Sequence, residues 1–275
     1  MATRNTRLFL AALVVVVMIG AALAVRAFWT TAKSQFTADS CTIGGYQLDP
    51  EQASVAATMV GAVTKYRVNL PSRAIVLVLG AALQESKLMN VPPGQGDRDS
   101  VGVLQQRPSQ GWGGGSAAAL TDVGEATKEF LDKLVAVPNW EKLPLAVAVQ
   151  DVQISADGTL YAQHEPEAKA LTDAFLGTTP AGVSCSFAKP TKVATTAKVA
   201  AQVSRELGIT TPTAVGQTVQ VPGARWQTVA WLVANASKLG IDKVAYNGKQ
   251  WTRSDGWKSV AGVSSTAVVA TMYAL

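Results

Sequence analysis

Histidine occurs once in these 275 residues, at His164, and cysteine twice, at Cys41 and Cys185. That shortage argues against a Cys/His zinc site, because structural zinc takes four protein ligands and catalytic zinc three. A Ser-His-Asp triad would have to use His164. There is no tight cluster of lysine and arginine and no zinc-finger or single-strand-binding signature, so nucleic acid is not an expected partner. No metal or cofactor is expected either. The net charge of +5 is a diffuse excess that suits an anionic polymer or lipid headgroups.

One long apolar run is present. Residues 8–25 carry no charge, with Arg4 and Arg7 before them and Arg26 and Lys33 after. The run is just long enough to cross a bilayer, and long for the core of a signal peptide. Ala22-Leu23-Ala24 is a small-residue cleavage site, so two readings stand. The preferred one is an uncleaved single-pass anchor over residues 1–30, with the rest of the chain outside the cytoplasm. The rival is a secreted chain released by cleavage. The cysteines fit either, since in an oxidising compartment they pair and close a loop of roughly 140 residues, worth about 4–5 kcal/mol in the chain-entropy model. Two unpaired buried thiols are the bland alternative.

Residues 31–48 read as a linker. Asp49-Pro50-Glu51 is a helix start: a capping acceptor, proline at the first helical position, then an acid in the first turn. That helix is expected to reach about residue 66. A second, capped by Ser72, carries a nearly continuous apolar run over residues 74–83, which predicts a central helix covered on several sides. Pro92, Pro93, Gly94 and Gly96 open a loop, and a second glycine-rich loop surrounds Trp112. Helices are expected over 122–135, 145–154 and 166–176. The pattern predicts a mainly α architecture: a helical domain over 49–187, then a small α+β domain over 188–275. In the latter, a helix at 193–207 ends at Gly208, and a strand at 218–221 precedes a helix at 226–239. A hairpin then turns at Asn247-Gly248. Residues 263–275 are apolar and receive no assignment.

The chemistry-bearing stretch lies at the end of the central helix. Glu85 is bordered by Leu83, Leu88 and Met89. Cleaving a glycosidic bond needs a proton donor at the leaving oxygen, and a carboxyl serves near neutral pH only if burial raises its pKa. Inverting enzymes place a second carboxylate about 6.5–9.5 Å away, and retaining enzymes place one nearer. Asp97 and Asp99 are candidates for it, with turn formation as the alternative role for both. Gln105 and Gln106 are suited to hydrogen-bonding N-acetyl and hydroxyl groups of a sugar, or to capping backbone. Trp112 is either a stacking platform for a pyranose or a core plug.

Leu83-Gln84-Glu85-Ser86 followed by Gly102-Val103-Leu104-Gln105-Gln106 resembles the Glu-Ser and Gly-Leu-Met-Gln pair of the soluble lytic transglycosylase and goose-type lysozyme superfamily. The longer string over residues 96–113 is similar to the lysozyme-like domain of actinobacterial exported proteins. That similarity continues through Trp140, Pro144, Ala148, Gln150, Val152, Gln153, Ser155, Ala156 and Tyr161, and covers about residues 40–187. The resemblance implies a lysozyme-like helical fold, peptidoglycan glycan strands as substrate, and Glu85 as general acid/base. It also implies Gln105, Gln106, Gln150, Gln153 and Tyr161 along the glycan cleft; Ser86 and Trp112 are further candidate substrate-binding residues. The superfamily's Tyr-Asn pair on the late helix is replaced here by the Val149-Gln150 region. This leaves open the acid's partner, and whether the domain cuts or only binds. Residues 226–251 resemble, more weakly, the tail of a domain related to metal-dependent DD-peptidases, without its zinc ligands.

Overall fold

In the computed structural model the described residues are 39–275, apart from 156 and 224. The expected membrane-spanning segment at 8–25, with its alternative cleavage site, lies outside them. Among the described residues no helix is long and apolar enough to cross a membrane. The single-pass placement is therefore not retained. What bears on compartment is the bond between Cys41 and Cys185, which belongs to an oxidising environment.

The mainly α expectation is corrected as well. About 45% of the described residues are helical and 18% are strand, in two antiparallel sheets of three and six strands. The first sheet has the order β2-β1-β3, from β1 (Ser40–Ile43), β2 (Tyr46–Leu48) and β3 (Val183–Ser186). Cys41 and Cys185 sit directly opposite one another in the β1–β3 pairing, so the disulfide fastens two strands where a linker and a chain exit were expected.

Between β2 and β3 runs the helical part. Helix α1 (Pro50–Thr64) opens as the sequence indicates, and Gln52 Oε1 accepts from the Asp49 amide at 2.7 Å, one arm of a capping box. Helix α2 (Arg73–Ser86) is the centre: every residue from 74 to 83 is buried. Ser72 precedes it but makes no side-chain capping bond. Around α2 stand the short α3 (Ala117–Thr121), α4 (Val123–Leu134), α5 (Leu145–Gln153) and α6 (Glu165–Leu176). Gly80 lets α5 approach closely, since a Cβ there would lie 2.7 Å from Leu145 Cδ1.

The C-terminal part begins with α7 (Thr196–Leu207), ended by Gly208 in the left-handed region. The six-stranded sheet has the order β4-β5-β9-β6-β7-β8. Its strands are β4 (Thr213–Val215), β5 (Thr218–Pro222), β6 (Ile241–Tyr246), β7 (Lys249–Thr252), β8 (Gly256–Ser259) and β9 (Ala267–Met272). Helices α8 (Trp226–Ala234) and α9 (Ala236–Leu239) meet at Asn235 where one helix was expected. The unassigned C-terminal stretch supplies β9, which pairs with both β5 and β6. The described chain from Asp39–Leu275 is one compact unit with one continuous apolar core.

Candidate functional site

Helix α2 ends one residue after Glu85, and the chain leaves it through two left-handed residues, Lys87 (φ 56°) and Leu88 (φ 61°). The Leu88 amide donates to Ala82 O at 3.1 Å, a tight reversal that seats Leu88 in the core. Ser86 Oγ donates to Val103 O at 2.7 Å, tying the helix end to the loop that returns past it. Glu85 is thereby held between α2, that loop and the segment following α5.

Three side chains converge there. Tyr161 Oη donates to Glu85 Oε1. Tyr161 is fully buried and comes from the 3-10 segment Gly158–His164. Gln153, the last residue of α5, donates its Nε2 to Leu104 O at 2.8 Å and lies near enough to Glu85 to favour its anion. Gln153 Oε1 is buried and without a partner among the described residues. Burial pushes the Glu85 carboxyl above the ordinary glutamate range, opposed by the hydrogen bond from Tyr161 and by Gln153. Desolvation penalises the anion, while hydrogen bonds to the anion favour it, and here desolvation wins. Tyr161 is itself pushed well above an ordinary phenol, first by burial and then by the bond to Glu85, so it stays a donor.

Tyr161 is supported in turn. Ser155, in the segment that leads to it, donates its Oγ to Gln150 Oε1 at 2.7 Å, while Gln150 Nε2 donates to Ser155 O at 2.9 Å. Gln150 is thus occupied by the protein's own backbone and hydroxyl groups.

Other expected residues lie elsewhere or are otherwise engaged. Gln105 stays half-buried, in the left-handed region (φ 46°), and its Nε2 donates to Gly102 O at 2.9 Å. Gln106 is buried and reaches toward α4, where its Nε2 approaches Ala126 O at 3.4 Å; it forms no wall for a ligand. Trp112 is buried, with Lys133 Nζ 3.4 Å from its ring centre, and this is the core-plug alternative rather than a stacking platform. Asp97 projects into solvent with its side chain 90% exposed and only Arg98 beside it, at 4.0 Å. Asp99 is a turn former: Arg107 Nε and the Ser109 amide bind its two oxygens at 2.6 and 2.8 Å. These hydrogen bonds hold its carboxyl far below the usual range. His164 Nε2 lies 2.9 Å from Gln84 Oε1, and burial lowers its pKa.

Two cavities of about 420 and 370 Å³ lie away from Glu85. The smaller is ringed by charges that pair with one another, as in Arg205 with Glu206. The residue that sequence reasoning undervalued is Tyr161, assigned to the cleft wall but found on the acid itself. The part played by Ser155 carried no local signal. No family model matches this chain, and no curated protein matches it in sequence.

Proposed function

We propose that the chain is a glycan-strand cleaving enzyme of the lysozyme and lytic transglycosylase type, acting on peptidoglycan with Glu85 as general acid/base. The observation that carries this reading is the setting of Glu85: a carboxyl at the end of a buried helix, made hard to ionise by burial and hydrogen-bonded by Tyr161. A surface glutamate with an ordinary pKa is ionised at neutral pH and has no proton to give.

In this scheme neutral Glu85 protonates the glycosidic oxygen as the bond to the anomeric carbon breaks. The resulting carboxylate is stabilised by the Tyr161 hydroxyl and then accepts a proton from the attacking group. Burial and hydrogen bonding, with no neighbouring charge, set its proton affinity. Asp97 stands in solvent and Asp99 is committed to Arg107 and Ser109. A single working carboxyl favours attack by the sugar's own hydroxyl, closing a 1,6-anhydro ring. That route needs no second carboxylate to activate water.

The test is muropeptide analysis of purified sacculi treated with the full-length protein and with Glu85→Gln. The expected result is anhydro-ended products from the wild type and a loss of about 10²–10⁴-fold in the variant, the usual range for a general acid. Products with reducing ends point to hydrolysis instead. Equal release by both proteins, or binding of sacculi without release, removes Glu85 from this role.

A further inference from the structure

We propose that Gln150 is a positioning residue for Glu85, acting through Ser155 and Tyr161, and not a contact to substrate. This rests on the reading of Glu85 as the working acid. The geometry is a two-point clamp: Gln150 donates to the backbone oxygen of Ser155 at 2.9 Å and accepts from its hydroxyl at 2.7 Å. Both ends of the amide are engaged on one residue, so its orientation is set by the protein's own groups.

Two further features depend on that clamp. Ile154, between Gln153 and Ser155, lies in the left-handed region (φ 53°) with its side chain 79% exposed. A β-branched residue adopts that conformation only when its surroundings enforce it. Exposure means that its own packing does not enforce it, whereas the Gln150–Ser155 bonds span it. Gly158 is the second. A Cβ there would lie 2.5 Å from Gln150 Oε1 and 2.8 Å from Gln150 Cβ, so the segment that carries Tyr161 starts with its backbone against the Gln150 side chain. Three residues later Tyr161 delivers its hydroxyl to Glu85 Oε1.

The side chain hydrogen-bonded to Glu85 is Tyr161, while Gln153 Nε2 is held by Leu104 O. Ser86 on the same helix turns to Val103 O, and His164 meets the neighbouring Gln84. Tyr161 is thus the titratable side chain hydrogen-bonded to the acid, and a readout on Glu85 reports on it. The experiment follows the Glu85 carboxyl by carbon-13 NMR across pH in the full-length protein. It compares wild type, Gln150→Ala, Tyr161→Phe and the double variant. A hydrogen bond to the ionised form lowers a pKa, so losing it raises the midpoint. Tyr161→Phe is expected to raise it, and Gln150→Ala to raise it by about 0.5–1 pH unit in the wild-type background. In the Tyr161→Phe background Gln150→Ala is expected to add nothing, as for residues acting in one chain.

An equal rise in both backgrounds overturns the proposal, as does no rise from either single change. Gly158→Ala, which displaces Gln150 by volume alone, is expected to reproduce the rise and decides the matter if Gln150→Ala does not fold. The titration needs no turnover. Failure to cleave sacculi would sink the proposed function while leaving this coupling to be judged by itself.

Discussion

At the scale of the residue, the same burial that makes Glu85 useful makes it costly. Its folded pKa is raised above the ordinary value of 4.5, so the native state binds this proton more tightly than the unfolded chain. The associated stability is fully present below the unfolded value and is lost as pH rises through the folded one. At a pH above that folded value the protein therefore carries a disfavoured buried charge, and there Glu85→Gln is expected to stabilise it by about 0.5–2 kcal/mol, as removal of strained site groups commonly does. That corresponds to roughly 2–4 °C in Tm per kcal/mol at this size. At pH 4 the gain is expected to vanish. Thermal melts of both proteins at the two pH values check this, and a gain independent of pH contradicts it. How far these residues were legible in the sequence follows from the same physics. Glu85 was readable because an apolar run over 74–83 announces burial at its end. Tyr161 was not readable as its partner, because it lies 76 positions away in a 3-10 segment with no apolar period. Gln105 and Gln106 read as a pair, but Gln105 takes a left-handed conformation while Gln106 sits in a bridge to Val101. Their side chains accordingly part, one toward Gly102 and one toward α4.

At the scale of the element, Ile154 ends α5 where a glycine would be at ease. Left-handed conformation costs a non-glycine residue about 1–2 kcal/mol, and the exposed side chain recovers little by packing. Ile154→Gly is expected to stabilise the fold by roughly 0.5–1 kcal/mol after glycine's own entropic cost, read from the midpoint of urea unfolding. A loss of stability would mean that the isoleucine makes contacts its exposure does not suggest. Elements with strong end signals were legible: α1 from Asp49-Pro50, α7 from Gly208, and the β6–β7 hairpin from Asn247-Gly248. β9 was not, although it is an inner strand of the large sheet. Its residues, Ala-Val-Val-Ala-Thr-Met, alternate buried with half-buried positions. Both faces are therefore apolar enough to blur the two-residue period on which a strand assignment depends. The small sheet was missed for another reason. β1 and β3 are separated by the whole helical part, and a pairing of that sequence separation leaves no local trace in either segment.

At the scale of the whole molecule, the helices and the six-stranded sheet are joined by buried polar groups as well as by shared core. Arg253, after β7, donates to the carbonyls of Ala188, Ala236 and Ile241 at 2.7–2.9 Å. Glu206 on α7 is the more telling case, because it gathers three helices. Its carboxylate accepts from Thr58 of α1 at 2.8 Å, from Trp231 Nε1 of α8 at 2.9 Å, and from Gln202 at 2.9 Å. A buried charge so supplied is satisfied in place. Its removal leaves four donors behind, Arg205 at 3.3 Å being the fourth, and two of them lie on the buried side chains Trp231 and Gln202. Breaking one partner of such a buried network typically costs about 3–5 kcal/mol, so Glu206→Ala is expected to lower Tm by roughly 6–20 °C. Because the network spans the helical part and the helix that packs on the sheet, the loss is expected to move every probe together. Far-UV circular dichroism, which reports the helices, and tryptophan fluorescence, which reports tryptophans in both parts, Trp112 and Trp140 as well as Trp231 and Trp251, should shift in parallel and remain superimposable. Transitions that separate in the variant would instead mean that the two parts fold independently, with Glu206 a local contact at the seam.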